Sequence, residues 1–271
     1  MSLLSFDWNE AAAQISRDRR KMNAGKLKGE AFWDMRAPSF AKHADETSYA
    51  AAFLDIIKPE SGMTVFDMGC GGGTLAVPIS GLVREVTAAD FSSNMLAIVK
   101  DKISVLGIKN IKPVKLSWAD DWTDVGVHDI AIASRSMSVE NIKDAVLKLN
   151  GAASKRVYIS TVVGDGPHDR RVYEAVGREV FPSVDYIYIY NILYQMGIHA
   201  NVSFITENGV RSYATFDEAV ASLRWMLQDM TPDEEVRLYA FMREHFVEKD
   251  GKWQKDYDKN HKWAVIWWNK E

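Results

Sequence analysis

The sequence predicts an α/β fold, a mainly parallel sheet with helices on both faces, on three observations. Short apolar runs alternate with helix-period segments through the middle of the chain. A glycine-rich turn joins the first such run to a helix. No apolar run approaches the ~20 residues a bilayer crossing needs. Alternation of this kind means βαβ units, and right-handed crossovers leave few topologies.

The elements follow in order. Residues 9–57 read as helical, with Ala11, Ala12 and Ile15, then Ala50, Ala51, Phe53, Leu54 and Ile57, at helix spacing. Met63–Met68 is a short apolar strand running into Gly69-Cys70-Gly71-Gly72-Gly73, and Thr74–Ile79 opens a helix that tolerates Pro78 near its first turn. Strands are expected over 85–90, 111–118, 129–134 and 157–161, with helices over 94–106 and 139–149 between them. Beyond that the rhythm changes. Helices are expected over 170–181 and 183–196 and a strand over 202–206, then two helices headed by Thr215 with Glu218 and by Thr231-Pro232 with Glu234. Trp263–Trp268 is the last strand, so a helical hairpin of about 50 residues interrupts the final two strands. Three segments are expected: a helical cover over 1–60, a ligand-binding core over 61–165, and a completing region over 166–271.

Composition narrows the function. The chain has 271 residues, 47% apolar and 26% charged, with 33 Lys+Arg against 37 Asp+Glu. Those values fit one globular chain rather than a disordered or fibrous one. The mild acidity disfavours nucleic acid as main partner, since a phosphate-neutralising stripe raises the pI above about 9. The single Cys70 forms no internal disulfide and leaves no multi-cysteine metal or redox site. With no basic region leading an apolar stretch at the N-terminus, a cytoplasmic location is expected, with no membrane partner and no metal.

Asp67-Met-Gly69-Cys70-Gly71 carries the most information. Glycines there let the backbone turn tightly and approach a ligand. A pyrophosphate would be repelled by Asp67, whereas a cationic amino-acid group would be attracted. Asp90, ending the next strand, suits a ribose diol. Together they suggest an adenosyl ligand carrying positive charge, S-adenosylmethionine. Thr74 in place of the last glycine of G-x-G-x-x-G argues against a nicotinamide-dependent oxidoreductase.

Over about residues 30–165 the chain resembles the class I S-adenosylmethionine-dependent methyltransferases, through D-x-G-x-G at Asp67, Gly69 and Gly71 and the acid Asp90, 23 residues after Asp67. The resemblance implies a Rossmann-like, seven-stranded sheet with an N-terminal helical cover and a C-terminal helical insert. It implies that Gly69, Cys70 and Gly71 face the methionine moiety and that Asp67 reaches its ammonium. Asp90 would hold the ribose, and Phe91 and Met95 the adenine. Trp118 and Ala119 would border the adenine edge, with Asp120 reaching its amino group. Ser134, leaving the fourth strand, would lie where the methyl points. Phe32-Trp33-Asp34-Met35-Arg36-Ala37 resembles the Trp-x-x-x-Ala segment that folds over the cofactor in many small-molecule methyltransferases. Arg36 would pair there with the methionine carboxylate, and Trp33 would line the pocket.

Methyl transfer needs an in-line nucleophile, exclusion of water and, for weak nucleophiles, a base. The segment Ser134-Arg135-Ser136-Met137 lacks both the Asn/Asp-Pro-Pro-Tyr of amino-group methylation and the acid of metal-dependent catechol enzymes. The candidate catalytic residues are His43, Arg135, His199 and Tyr194, with His43 and His199 the candidate proton acceptors. Arg135 is a candidate for an acidic substrate. Tyr186, Tyr190 and Tyr194 form one stripe if their segment is helical, with Tyr190, Asn191 and Tyr194 a substrate wall. His128, His168, His245 and His261 read as structural. The C-terminal tryptophans, Trp225, Trp253, Trp263, Trp267 and Trp268, should pack the last strand, with a surplus for a homodimer face. The function expected is methyl transfer to a small molecule. The alternatives are a non-catalytic cofactor- or partner-binding member, or methylation of protein or RNA.

Overall fold

The computed structural model describes residues 5–22, 29–43, 48–207, 212–224 and 226–270, with the side chains of 22 and 38–43 outside the described set. Three helices come first: α1 (Trp8–Met22), α2 (Gly29–His43) and α3 (Tyr49–Ile57). The Asp7 carboxylate accepts the Glu10 N–H at 2.8 Å and so caps α1. In α3, Tyr49, Phe53 and Ile57 recur every four residues and are fully buried against the sheet.

The alternating core then runs β1 (Thr64–Met68), α4 (Ala76–Ser80), β2 (Glu85–Asp90), α5 (Ser93–Leu106), β3 (Ile111–Lys115), β4 (His128–Ser134), α6 (Ile142–Gly151) and β5 (Ala153–Val162). Side chains alternate across the sheet as strand geometry requires. Phe66 and Met68 join the cluster under α1 and α6, while Val65, Ile130 and Ile132 join the cluster on the opposite face. Ser92 caps α5 by accepting the Met95 N–H, and Gly107 ends it in the left-handed conformation. Helix α6 starts three residues later than its periodicity suggests, because Asn141 caps it.

The remainder is α7 (Arg170–Val176), α8 (Tyr186–Gln195), β6 (Asn201–Glu207), β7 (Ser212–Tyr213), α9 (Phe216–Arg224), α10 (Pro232–His245), β8 (Phe246–Lys249), β9 (Lys252–Lys255) and β10 (His261–Asn269). The main sheet has seven strands in the order β3-β2-β1-β4-β5-β10-β6. Strand β10 alone runs opposite to the other six strands. The fold class expected from the sequence is therefore the fold observed. The Thr231–Glu234 capping box of α10 is present in both directions.

The insert between β6 and β10 is more than a helical hairpin. A small antiparallel sheet, β7-β9-β8, accompanies α9 and α10 and shares a third core with α7, including Val172, Val220, Leu238 and Phe246. Its strands are two to four residues long, too short for a periodic signal. Trp253 packs edge-on to Phe216 at 4.9 Å within this unit. Trp263 and Trp268 are buried, and Trp267 stacks on Tyr158 at 6.0 Å. These tryptophans pack inside the chain, and Trp225 lies outside the described residues.

Candidate active site

The strand order reverses at β1, whose neighbours β2 and β4 lead to opposite sheet edges. Loops diverging there leave a crevice at the strand C-termini, the usual ligand position in such sheets. A cavity of about 900 Å³ occupies that position. The β1 and β2 ends, α2, the β4 exit, the end of β6, the start of β10 and the insert all line it.

Asp67 and the glycine loop form one end. The Gly69 and Cys70 N–H groups both donate to the Ala89 carbonyl, at 2.8 and 3.0 Å, which folds the loop back over β2. Gly69, Gly71 and Gly73 all have left-handed φ, at 73°, 55° and 83°. Asp90 closes the turn, accepting the Gly71 N–H at 2.9 Å on one oxygen and the Ser92 N–H at 2.8 Å on the other. Ser136, after β4, donates to the Met68 carbonyl at 2.7 Å and holds the β4 exit against the loop.

Asp67 has a different environment. Both its oxygens are buried without a hydrogen-bond partner, as is the Thr74 hydroxyl, and both residues line the cavity. Burial, with the nearby Asp90 charge second, pushes the Asp67 carboxyl up to about 7. A buried, unpartnered acid costs stability, so the arrangement fits a cationic, hydrogen-bonding ligand at this position. Burial, with the nearby Asp67 and Asp90 charges, also pushes the Cys70 thiol well up.

The cover helix is anchored to this end. The Asp34 carboxylate of α2 accepts from the Ser92 hydroxyl at 2.5 Å and from the Asn94 N–H at 3.3 Å at the start of α5. Trp33 and Arg36 then line the cavity, with the guanidinium 5.5 Å from the Phe32 ring centre and 5.8 Å from that of Trp33. Arg20 of α1 reaches Glu140 at 2.5 Å across the β4–α6 connection.

The other end is built from β4, α3, β6 and β10. Arg135, with a φ of 57°, donates its N–H to the Ser160 carbonyl at 2.9 Å. Its guanidinium carbon lies 4.0 Å from the Tyr49 ring centre and 5.3 Å from that of Trp263. The Tyr49 hydroxyl is shared between the hydroxyls of Ser134 and Ser160. Buried Glu207 accepts from the Trp263 indole N–H and pairs with His261 Nε2 at 3.2 Å. Its hydrogen bonds to His261 and Trp263, with the Arg135 charge, outweigh burial and hold its carboxyl below the usual range.

Of the residues singled out from the sequence, Trp33, Arg36, Asp67, Gly69, Cys70, Gly71, Asp90, Phe91, Met95, Trp118, Ala119, Ser134 and Arg135 all line this one cavity. Asp120 does not. It is exposed, and its carboxylate accepts the Ser117 N–H at 2.7 Å, closing its own turn. The indole N–H of Trp118 donates to the Ser136 carbonyl at 3.0 Å, which leaves its ring to border the cavity.

Tyr190, Asn191, Tyr194 and His199 also lie away from the cavity. The tyrosine stripe is on a helix, but that helix packs Ile189, Ile192 and Leu193 into the core with Tyr186 and Tyr190 partly buried beside them, so the stripe serves the core rather than the cavity. Tyr194 and His199 are exposed beside each other, and the Asn191 amide donates to the Ile187 carbonyl one turn back. The expected substrate wall is corrected accordingly. His43 closes α2, and its side chain is outside the described residues.

Sequence reasoning missed Thr74, Ser136, Glu207, Lys259 and His261 as cavity residues. Glu207 and His261 meet only through β6–β10 pairing, 54 residues apart, and no local spacing signals that. His128 and His168 lie outside the cavity and hold structural places. The first opens β4 against Thr87, and the second joins Arg19 to Tyr173, with its imidazole pushed down to about 4 chiefly by burial.

Comparison with known proteins agrees with this geometry. Residues 65–151 match the family model described as a methyltransferase domain. Over 240 residues the chain is 34% identical to an uncharacterized protein of Haemophilus influenzae, covering 88% of each chain. The chain belongs to the class I S-adenosylmethionine-dependent methyltransferases. Solved structures share the fold at low identity. The BH2331 protein of Bacillus halodurans superposes with a TM-score of 0.55 at 14% identity, over 82% of this chain and 98% of the other. The YcgJ protein of Bacillus subtilis gives 0.52 at 14% identity, over 80% and 97%. The methyltransferase takes S-adenosylmethionine as its cofactor. Among the described residues no helix is long and apolar enough to cross a membrane, and no group of three or more metal-type ligands is present.

Proposed function

We propose that this methyltransferase alkylates a small-molecule acceptor, binding the cofactor at the Asp67–Asp90 end of the cavity and the acceptor at the Arg135 end. One observation carries the reading. The unpartnered Asp67 carboxylate and the Arg135 guanidinium line a single cavity of about 900 Å³, the size range of small-ligand sites. S-adenosylmethionine supplies an activated methyl group on a sulfonium centre.

The chain's own residues position and enclose it. Asp67, ionised, attracts the ammonium of the methionine moiety, and the turn of Gly69, Cys70 and Gly71 lets the backbone come close. Asp90 keeps unused acceptor capacity beyond its two backbone bonds and holds the ribose diol. Phe91 and Met95 pack on the adenine, with Trp118 and Ala119 at its edge. Arg36 and Trp33, on the anchored cover helix, close over the methionine end and exclude water. Ser134 lies where β4 meets the acceptor. Orientation in a dry cavity supplies much of the rate in such a transfer. A single free, buried Cys70 suits a reducing compartment, and we place the enzyme in the cytoplasm.

The test is methyl transfer from labelled S-adenosylmethionine into a cell extract separated by size. Label in the low-mass fraction is expected. Label confined to protein or RNA would replace the acceptor class, and a cofactor-loaded protein that labels nothing would favour a non-catalytic role.

A further inference from the structure

The Arg135 end contains a cation whose guanidinium makes no hydrogen bond to the described residues. Arg135 sits in a left-handed backbone conformation that a non-glycine residue adopts only when its surroundings impose it. The Arg135 N–H bond to the Ser160 carbonyl and the stack on Tyr49 impose it here. Tyr49 is itself fixed by the Ser134 and Ser160 hydroxyls. Stacking occupies the faces of a guanidinium, whereas its donors point outward in the ring plane. Among the described residues the Arg135 guanidinium makes an ion pair of only 4.0 Å, to Glu207, whose oxygen already serves Trp263 and His261. The side chain keeps 25% of its exposure, and it lines the cavity.

A second cation lines the same cavity. The Lys259 ammonium donates to the Gly166 carbonyl at 3.4 Å and has no carboxylate within ion-pair distance among the described residues. Its neighbour Lys255 differs, being paired with Asp169 at 2.8 Å. Leu223 and Met226 of the insert, with Trp263 of β10, add an apolar wall.

Resting on the methyltransferase reading above, we propose that the acceptor is a carboxylate with an apolar or aromatic body. Arg135 grips the carboxylate in the bidentate geometry its fork favours, Lys259 adds a second positive charge, and the body lies against Trp263, Leu223 and Met226. A neutral analogue loses the charge-assisted pair and leaves the guanidinium desolvated, so discrimination against it is large.

The experiment uses the full chain saturated with S-adenosylhomocysteine. Three acid–amide pairs are titrated by calorimetry: benzoate, 4-hydroxyphenylacetate and indole-3-acetate, each against its amide. At least one acid should bind, at least about tenfold tighter than its amide. Arg135→Gln should weaken that binding by about tenfold or more and Lys259→Gln by about threefold, while both keep wild-type affinity for S-adenosylhomocysteine. Lys259→Gln removes one long hydrogen bond to the Gly166 carbonyl and nothing from the hydrophobic clusters, so it carries the test if Arg135→Gln unfolds. Equal binding of acid and amide, no binding of any acid, or unchanged binding in both variants overturns the proposal. Loss of S-adenosylhomocysteine affinity in Arg135→Gln also overturns it, by assigning the guanidinium to the cofactor's own carboxylate. If S-adenosylhomocysteine fails to bind the wild type, the cofactor reading fails instead, and the two failures are distinct.

Discussion

A Cβ placed on Gly69 would stand 2.3 Å from the Cβ of Ser136, so the Ser136 side chain after β4 occupies the space that any side chain at Gly69 would need. Gly69 is also at a φ of 73°, which side-chain-bearing residues rarely adopt. Gly69→Ala should therefore lower stability by about 2–4 kcal/mol and abolish cofactor binding in whatever remains folded. Ser136→Gly in the same chain should restore part of the stability, because it removes the clash but not the strain. Urea midpoints of the single and double variants check this, and additive losses would contradict it.

The Asp67 carboxyl, pushed up to about 7 by burial, is substantially protonated at neutral pH before a ligand arrives. A cationic ammonium beside it favours the ionised form, so binding lowers its pKa and releases a proton. S-adenosylhomocysteine affinity should rise on the order of tenfold from about pH 5.5 to about pH 7.5. The same raised pKa gives the free protein stability that is fully present below the ordinary carboxyl range and is lost as pH rises through about 7. Asp67→Asn should thus flatten the pH dependence of binding and stabilise the free protein at about pH 8 by about 1–3 kcal/mol. Calorimetry in buffers of different ionisation enthalpy reads the released proton directly.

Asp90 holds the Gly71 and Ser92 N–H groups, and the proposed cofactor placement gives it the ribose as a second task. Asp90→Ala should weaken cofactor binding about a hundredfold or more, with a loss of about 1–3 kcal/mol in stability. An affinity unchanged in a folded variant would place the cofactor elsewhere.

Asp34 ties the cover helix to the start of α5 through Ser92 and Asn94. Asp34→Ala should reduce S-adenosylhomocysteine affinity about three- to tenfold while leaving the thermal midpoint nearly unchanged, because the sheet core does not depend on it. Amide exchange over 29–36 should rise in the variant.

Tyr194 and Asn191 are displaced from the cavity by the isoleucine face of α8. Tyr194→Ala and Asn191→Ala should leave both cofactor and acceptor binding within about twofold of wild type, consistent with surface substitutions. A specific loss of acceptor binding would restore them to the site.

The Asp67–Asp90 end of the cavity was legible because its parts are local. A strand, an acid, three closely spaced glycines and a second acid all fall between Thr64 and Asp90, and strand-period alternation places them at one sheet end. The Arg135 end was not, because its parts are joined by long-range pairing. Tyr49 meets Ser134 and Ser160 across 85 and 111 residues, and Glu207 meets Trp263 across 56. Only Arg135 and Ser134, next to a readable strand, were found from sequence. The tyrosine stripe of α8 misled because Tyr186, Tyr190 and Tyr194 share a helix face, yet the neighbouring Ile189, Ile192 and Leu193 face the core. Asp120 misled in a simpler way, since position after β3 does not show that a carboxylate caps its own turn.

The measurement that bears most directly on the account is calorimetric titration of the purified chain with S-adenosylmethionine and S-adenosylhomocysteine, with NADH as control. Saturable binding of both adenosyl ligands, abolished in Asp90→Ala, and none of NADH is the predicted result. Binding of NADH, or adenosyl binding indifferent to Asp67 and Asp90, would contradict the placement of the cofactor on which every other inference depends.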